Sequence, residues 1–225
     1  MEPLCLQMVV PTIRCNSRCR YCQVSSRCMA DNTHGTDMTE ETAAAVAQTI
    51  LLSPGKTAKI EFQGGEPLLR LDLVSRITRR LDTDAAAHKK HFEFVVCTNL
   101  LDIDRRALTF LRDHNVLVST SLDGPQAIHD ANRITTAGMG THHRVSANIA
   151  RARAMLGPGR VSALLTVTDI NIDRLRDVID EYVAQGFNSI FIRPINPFGR
   201  ATADNVATYS PDRFADSYID ALEYI

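Results

Sequence analysis

The sequence has no excess of charge of either sign. Its 225 residues carry 25 basic and 26 acidic side chains, a formal net charge of -1. That balance excludes global attraction to nucleic acid or to an anionic membrane. Long hydrophobic runs are also missing: nothing approaches the roughly 18 to 20 apolar residues of a membrane-spanning helix. The start, Met1-Glu2-Pro3, lacks the basic opening of a secretory signal, and the apolar stretch Leu4 to Ile13 is broken by Gln7 and Pro11. No low-complexity tract or linker divides the chain. One domain over residues 1–225, in the cytoplasm, is the expectation. The composition, 44% hydrophobic and 23% charged, is that of a folded globular protein. A chain this long buries most of its apolar surface without covalent staples. Its six cysteines are therefore free for other work. In a reducing compartment, clustered cysteines point to metal or catalysis.

Apolar runs alternate with helical patterns from end to end. Strands are expected at Leu4–Val10, Ala58–Phe62, Phe92–Cys97, Val116–Ser121, Val161–Val167 and Ser189–Ile192. Helices fall between them. Asp37 is the expected cap of the first, Asp104 of the third, Thr141 is a candidate cap, and Asn171 caps the most regular one, with Gly186 at its end. Such alternation implies a parallel sheet with right-handed crossovers, either an open doubly wound sheet or a partial barrel. The strands read as near-continuous apolar runs, so both sheet faces are expected to be covered. Ligands then belong at the C-terminal ends of the strands.

Two strand ends carry chemistry. After the first strand, Cys15-Asn16-Ser17-Arg18-Cys19-Arg20-Tyr21-Cys22 places three thiols on one short loop. Thiolates ligate iron–sulfur clusters and structural zinc. A closed site would take a fourth ligand, for which Cys28 or His34 is available; three ligands alone leave an open position. Cys5 and Cys97 lie in apolar runs and are expected to be buried bystanders. After the second strand, Gly64-Gly65-Glu66-Pro67 provides two glycines where a ligand can approach the main chain.

With both motifs in this order, the sequence resembles the radical S-adenosylmethionine (SAM) enzymes. The resemblance implies a partial (β/α)6 barrel of parallel strands. It implies that Cys15, Cys19 and Cys22 bind three irons of a [4Fe–4S] cluster whose fourth iron is chelated by SAM. Gly64, Gly65 and Glu66 would hold the SAM amino group, and Tyr21 would lie near the adenine. Ser121-Leu122-Asp123-Gly124-Pro125, followed by Ile128-His129-Asp130 and Asn132-Arg133, resembles the anaerobic sulfatase maturases and related SPASM-type peptide-modifying enzymes. By that likeness Ser121 and Arg133 contact SAM, and Ile195, after the sixth strand, touches the base. Leu100 follows Thr98-Asn99 where that branch usually has glycine. Gln23-Val24-Ser25-Ser26 resembles maturases of His-Xaa-Ser repeat peptides.

The function so implied is reductive cleavage of SAM to a 5′-deoxyadenosyl radical that abstracts hydrogen from a peptide or protein side chain. An external one-electron donor of flavodoxin or ferredoxin type would serve it. The alternatives are a radical SAM enzyme acting on a small molecule, and a non-catalytic zinc-stabilised binding module that would need the fourth ligand. No cysteine follows Cys97, so an auxiliary-cluster domain, common in the branch, is expected to be absent or truncated. No membrane and no nucleic acid is expected as a partner.

Overall fold

A computed structural model describes residues 5–24, 27–28, 35–203 and 209–225. Six parallel strands lie side by side in the order of the sequence: β1 (Cys5–Thr12), β2 (Thr57–Gly64), β3 (His91–Cys97), β4 (Leu117–Ser121), β5 (Val161–Thr166) and β6 (Phe191–Arg193). Among the described residues the first and last strands do not pair, so the sheet is open, the arrangement of a partial (β/α)6 barrel. Its helices are α1 (Glu40–Leu52), α2 (Leu71–Asp84), α3 (Arg105–Asp113), α4 (Gln126–Asn132), α5 (His142–Leu156), α6 (Leu175–Ala184), α7 (Arg200–Ala203) and α8 (Pro211–Tyr224), and a short parallel pair joins Arg14–Cys15 to Arg27–Cys28.

The strands do not read as runs buried on both faces. In β2 the odd positions Lys59, Glu61 and Gln63 are half-buried, and the even positions Ala58, Ile60 and Phe62 are buried. Register carries this alternation across the sheet. Met8 pairs with Glu61, Glu61 with Val95, Cys97 with Ser119, Ser121 with Leu164, and Thr166 with Arg193. Paired residues of parallel strands share a face. The convex face therefore carries Val9, Ile60, Phe62, Phe94, Val96 and Val118, packed against the helices in one core cluster. A second cluster joins Leu122, Leu165 and Val167 to Ile172, Val178 and Tyr182. The concave face carries the polar partners.

The helix caps show where local pattern was overruled. Asp104 caps α3 as expected, accepting from the Ala107 N–H at 2.7 Å. At α1 the cap is Thr39, which accepts from Thr42 N–H at 3.1 Å. Asp37 is drawn off by Arg14 and Arg70, at 2.7 and 3.0 Å, because two guanidinium groups outcompete one backbone amide. At α5 Thr141 does not cap with its hydroxyl; Asp130 accepts from the N–H groups of Thr141 and His142, at 2.7 and 2.8 Å. Asn171 precedes a short 3₁₀ turn, and α6 begins only at Leu175.

Candidate active site

The cysteine loop is shaped by the two-glycine turn beneath it. Gly65 N–H donates to Thr12 C=O at 3.0 Å and Glu66 N–H to Arg14 C=O at 2.7 Å, one residue before Cys15. A Cβ on Gly65 would lie 2.0 Å from the Arg14 carbonyl oxygen, and one on Gly64, whose φ is +127°, 2.4 Å from that of Thr12. Both positions need glycine for this close approach. The far side of the loop is fastened to the segment after α4: Arg18 N–H donates to Ile134 C=O at 2.8 Å and Arg20 N–H to Asn132 C=O at 2.9 Å. Arg200 N–H reaches Cys22 C=O at 2.9 Å.

The structure brings most of the expected site residues to one cavity of about 520 Å³ at the C-terminal ends of the strands. Cys15, Cys19, Cys22 and Tyr21 form one wall; Gly64, Gly65 and Ser121 line it from the strand ends and Arg133 from the end of α4. Glu66 and Ile195 are not among its lining residues. Glu66 is 2% exposed. Its Oε1 accepts from Thr98 Oγ1 at 2.7 Å and Leu68 N–H at 3.1 Å, and its Oε2 from Asn99 N–H at 2.8 Å. The carboxylate thus ties the end of β2 to the end of β3. Ile195 offers its N–H to the Tyr209 hydroxyl at 2.8 Å. His34, Ser25 and Ser26 lie outside the described residues, as do the side chains of Cys5 and Cys28.

Tyr21 and Arg133 belong to a buried polar cluster. The Tyr21 hydroxyl accepts from Arg133 Nη1 and donates toward Asp123, whose oxygens lie at 2.9 and 2.8 Å. Asp123 and Arg133 are both buried. Burial pushes the Asp123 carboxyl up to about 6, with Arg133 and the Tyr21 hydrogen bond opposing. His129 joins the ends of this cluster. Its Nδ1 accepts from Asp123 N–H at 3.3 Å, its Nε2–H donates to Thr141 Oγ1 at 3.1 Å, and that hydroxyl donates to Arg133 C=O at 2.9 Å. Burial and Arg133 hold His129 well below the ordinary histidine range, so the ring is neutral.

Two wall residues were missed or misplaced by the sequence reading. Cys97 is half-buried on the concave face and lines the cavity, rather than sitting in the core. Arg193 lines it from β6 and donates to Thr166 Oγ1 at 3.2 Å. The period-two alternation of polar residues at 61, 63, 97, 119, 121, 166 and 193 carried this signal, hidden by the impression of continuous apolar strands.

The donor set fits an iron–sulfur cluster. Burial, with Glu66 adding to it, pushes the Cys15 thiol up to about 12; burial also raises Cys19, with Arg133 opposing. Such thiols stay protonated until a metal takes them as thiolates. Among the described residues no three His, Cys, Asp or Glu side chains gather around one point. A cubane offers each thiolate a different iron, so three sulfurs set around a cavity wall match it.

Known proteins resemble the chain in sequence and in fold. The family model described as the radical SAM superfamily matches residues 9–182. An uncharacterized protein of Methanothermobacter thermautotrophicus is 26% identical over 223 residues, covering 97% of this chain and 76% of its own. A cysteine-type anaerobic sulfatase-maturating enzyme of Clostridium perfringens is 29% identical over 149 residues, covering 64% of this chain and 40% of its own. In structure, native anSMEcpe with bound AdoMet superposes with a TM-score of 0.80 at 22% identity, covering 99% of this chain and 60% of that one. Native anSMEcpe with bound AdoMet and Cp18Cys peptide gives 0.81 at 21%, over 97% and 59%. At that identity the likeness is one of fold, and the chain spans about three fifths of these solved chains. No helix of the described residues is long and apolar enough to cross a membrane. A family match over most of the chain, on a partial barrel whose three loop cysteines face one cavity, leaves one conclusion: the chain belongs to the radical SAM superfamily, enzymes whose cofactors are a [4Fe–4S] cluster and S-adenosylmethionine.

Proposed function

We propose that the protein cleaves SAM reductively and matures a peptide or protein substrate by hydrogen abstraction from one of its side chains. The observation that carries this reading is the convergence of three thiols, the two-glycine turn, Ser121 and Arg133 on one cavity. When bound, the reduced cluster would supply an electron and SAM the 5′-deoxyadenosyl radical.

The chain's own residues have distinct parts. Cys15, Cys19 and Cys22 would hold the cluster. The backbone at Gly64 and Gly65 would receive the SAM amino group, and Glu66, buried and triply hydrogen-bonded, would hold that backbone in place. Ser121 and the Arg133 fork would take the SAM carboxylate, with Tyr21 and Ile195 toward the adenine. The concave face below, with Gln63, Cys97 and Arg193, would be the substrate side. Likeness to sulfatase-maturating enzymes, and to a solved neighbour that holds a peptide, supports a peptide substrate over a small molecule. A flavodoxin or ferredoxin would be the reductant, and residues 1–225 are the core that carries the site.

The test is anaerobic reconstitution. The protein should take up about four irons and as many sulfides, and release 5′-deoxyadenosine from SAM once reduced. Alanine at Cys15, Cys19 or Cys22 should abolish both while leaving the melting curve nearly unmoved. Zinc without iron in anaerobically purified protein would sink the reading. Mass spectrometry of candidate peptides incubated with the loaded protein, SAM and reductant then seeks a defined mass change.

A further inference from the structure

Asn99 stands beside the cysteine wall with its orientation settled by its neighbours. Its Oδ1 accepts from Leu101 N–H at 2.8 Å, so Nδ2 must face the loop. There Nδ2 lies 2.7 Å from Asn16 Oδ1, 3.3 Å from Ser17 Oγ and 3.7 Å from Cys15 Sγ. The Ser17 N–H reaches the same sulfur at 3.4 Å. In the thiol form Cys15 can itself donate toward Asn16 Oδ1, 4.0 Å away. A thiolate only accepts, and Nδ2 carries two protons: one serves Asn16, and the other lies between Ser17 Oγ and the sulfur, where a charged thiolate is the stronger acceptor.

Little in this arrangement can move. Asn99 N–H is held by Glu66 at 2.8 Å, and Leu100 behind it is fully buried with a φ of +53°. Asn16 donates from Nδ2 to Asp102 Oδ2 at 2.9 Å, and Asp102 pairs with Arg144 at the surface. The amide is therefore preorganised toward Cys15 by bonds on every side.

We propose that Asn99 is a positioning residue that raises the reduction potential of the cluster by donating a hydrogen bond to Cys15 Sγ. The inference rests on the proposed function. Reduction adds negative charge that the thiolates share, and an N–H donor aimed at sulfur favours the more negative state. An easier reduction would help an external donor start each turnover.

The experiment measures the cluster itself. Asn99→Ala and Asn99→Asp are reconstituted anaerobically beside wild type, iron and sulfide are counted, and the midpoint potential is titrated by EPR. Cluster content should match wild type. The potential should shift downward in Asn99→Ala and further in Asn99→Asp, which keeps the shape but replaces the donor with a charge. Equal loading with an unmoved or raised potential overturns the inference, and so does failure of a folded variant to load, since a tuning residue is not needed for assembly. One measurement needs no variant: reduced wild type labelled with [amide-¹⁵N]asparagine should show a ¹⁵N coupling in pulsed EPR, and its absence also overturns the inference. A wild type that loads no cluster defeats the proposed function instead, so the two failures are distinct.

Discussion

The convex and concave faces of the sheet come from the same six strands and follow different rules. On the convex face Ile60, Phe62 and Val96 are wholly buried in one apolar cluster with residues of the helices. On the concave face the same strands carry Glu61, Gln63, Cys97, Ser121 and Thr166 around a cavity, and near its bottom Lys59 pairs with Glu61 and Glu93 at 3.5 and 3.6 Å. Apolar packing on one side holds strand positions tightly enough that polar groups on the other can stand open to a ligand. Stability and chemistry are thus separated by side-chain parity, and substitutions should separate in the same way.

The largest effect is expected where the two demands meet, at Gly65→Ala. The added Cβ collides with the Arg14 backbone, which leads directly into Cys15. Iron uptake on reconstitution should fall nearly to zero, whereas Gly159→Ala, where nothing lies within 4 Å, should load as wild type. Loading of the Gly65 variant at the wild-type level would break the link between turn and loop.

Next comes the pair Phe62→Ala and Ser121→Ala. The first opens a cavity in the convex core and should cost about 3–5 kcal/mol of stability by denaturant titration. The second, on the cavity wall, should leave the denaturation midpoint in place and weaken SAM binding in calorimetry. Equal stability losses from both would erase the distinction between the faces.

The smallest effects concern pH, in apo protein unfolded by denaturant across a pH series. Asp123 holds its proton in the folded state up to about 6, above the ordinary carboxylate value. Its contribution is therefore present at low pH and lost as pH rises through 6; Asp123→Asn should gain on wild type between pH 4 and 6. His129 is held below the ordinary histidine value, so the unfolded chain takes up a proton first. Its contribution is lost as pH falls below about 6.5, and His129→Asn should gain on wild type in that direction. Parallel pH profiles for wild type and both variants would show that this buried cluster carries no such electrostatic cost.

The metal-binding motif and the strand–helix alternation were legible because both are local. Six strands lie close to where apolar runs put them, and the three-cysteine loop and the glycine pair stand out by spacing alone. What escaped was set by partners far along the chain. Asp37 looks like a cap until Arg14 and Arg70 are seen beside it. The bonds that Thr98 and Asn99 make to the Glu66 oxygens come from another strand end, which the glycine motif does not announce. Leu100 takes a left-handed backbone, which costs a non-glycine residue about 1–2 kcal/mol, and explains why glycine suits that position. Complete burial of its side chain offsets that cost. That Tyr21 stands between Asp123 and Arg133 is announced by nothing in their own segment.

The fastening of the cysteine loop also sets a schedule. Arg18 and Arg20 bond to Ile134 and Asn132, more than a hundred residues later. On a ribosome adding about 5–20 residues per second, the loop emerges on the order of ten seconds before those partners exist. Contacts of such long range form late, because closing a long loop of chain must be compensated by packing elsewhere first. The three thiols should therefore reach their final spacing only once the fourth βα unit has docked. Cluster insertion is then expected as a finishing step in the protein's biogenesis, since iron offered to a nascent chain would meet thiols on an unshaped loop.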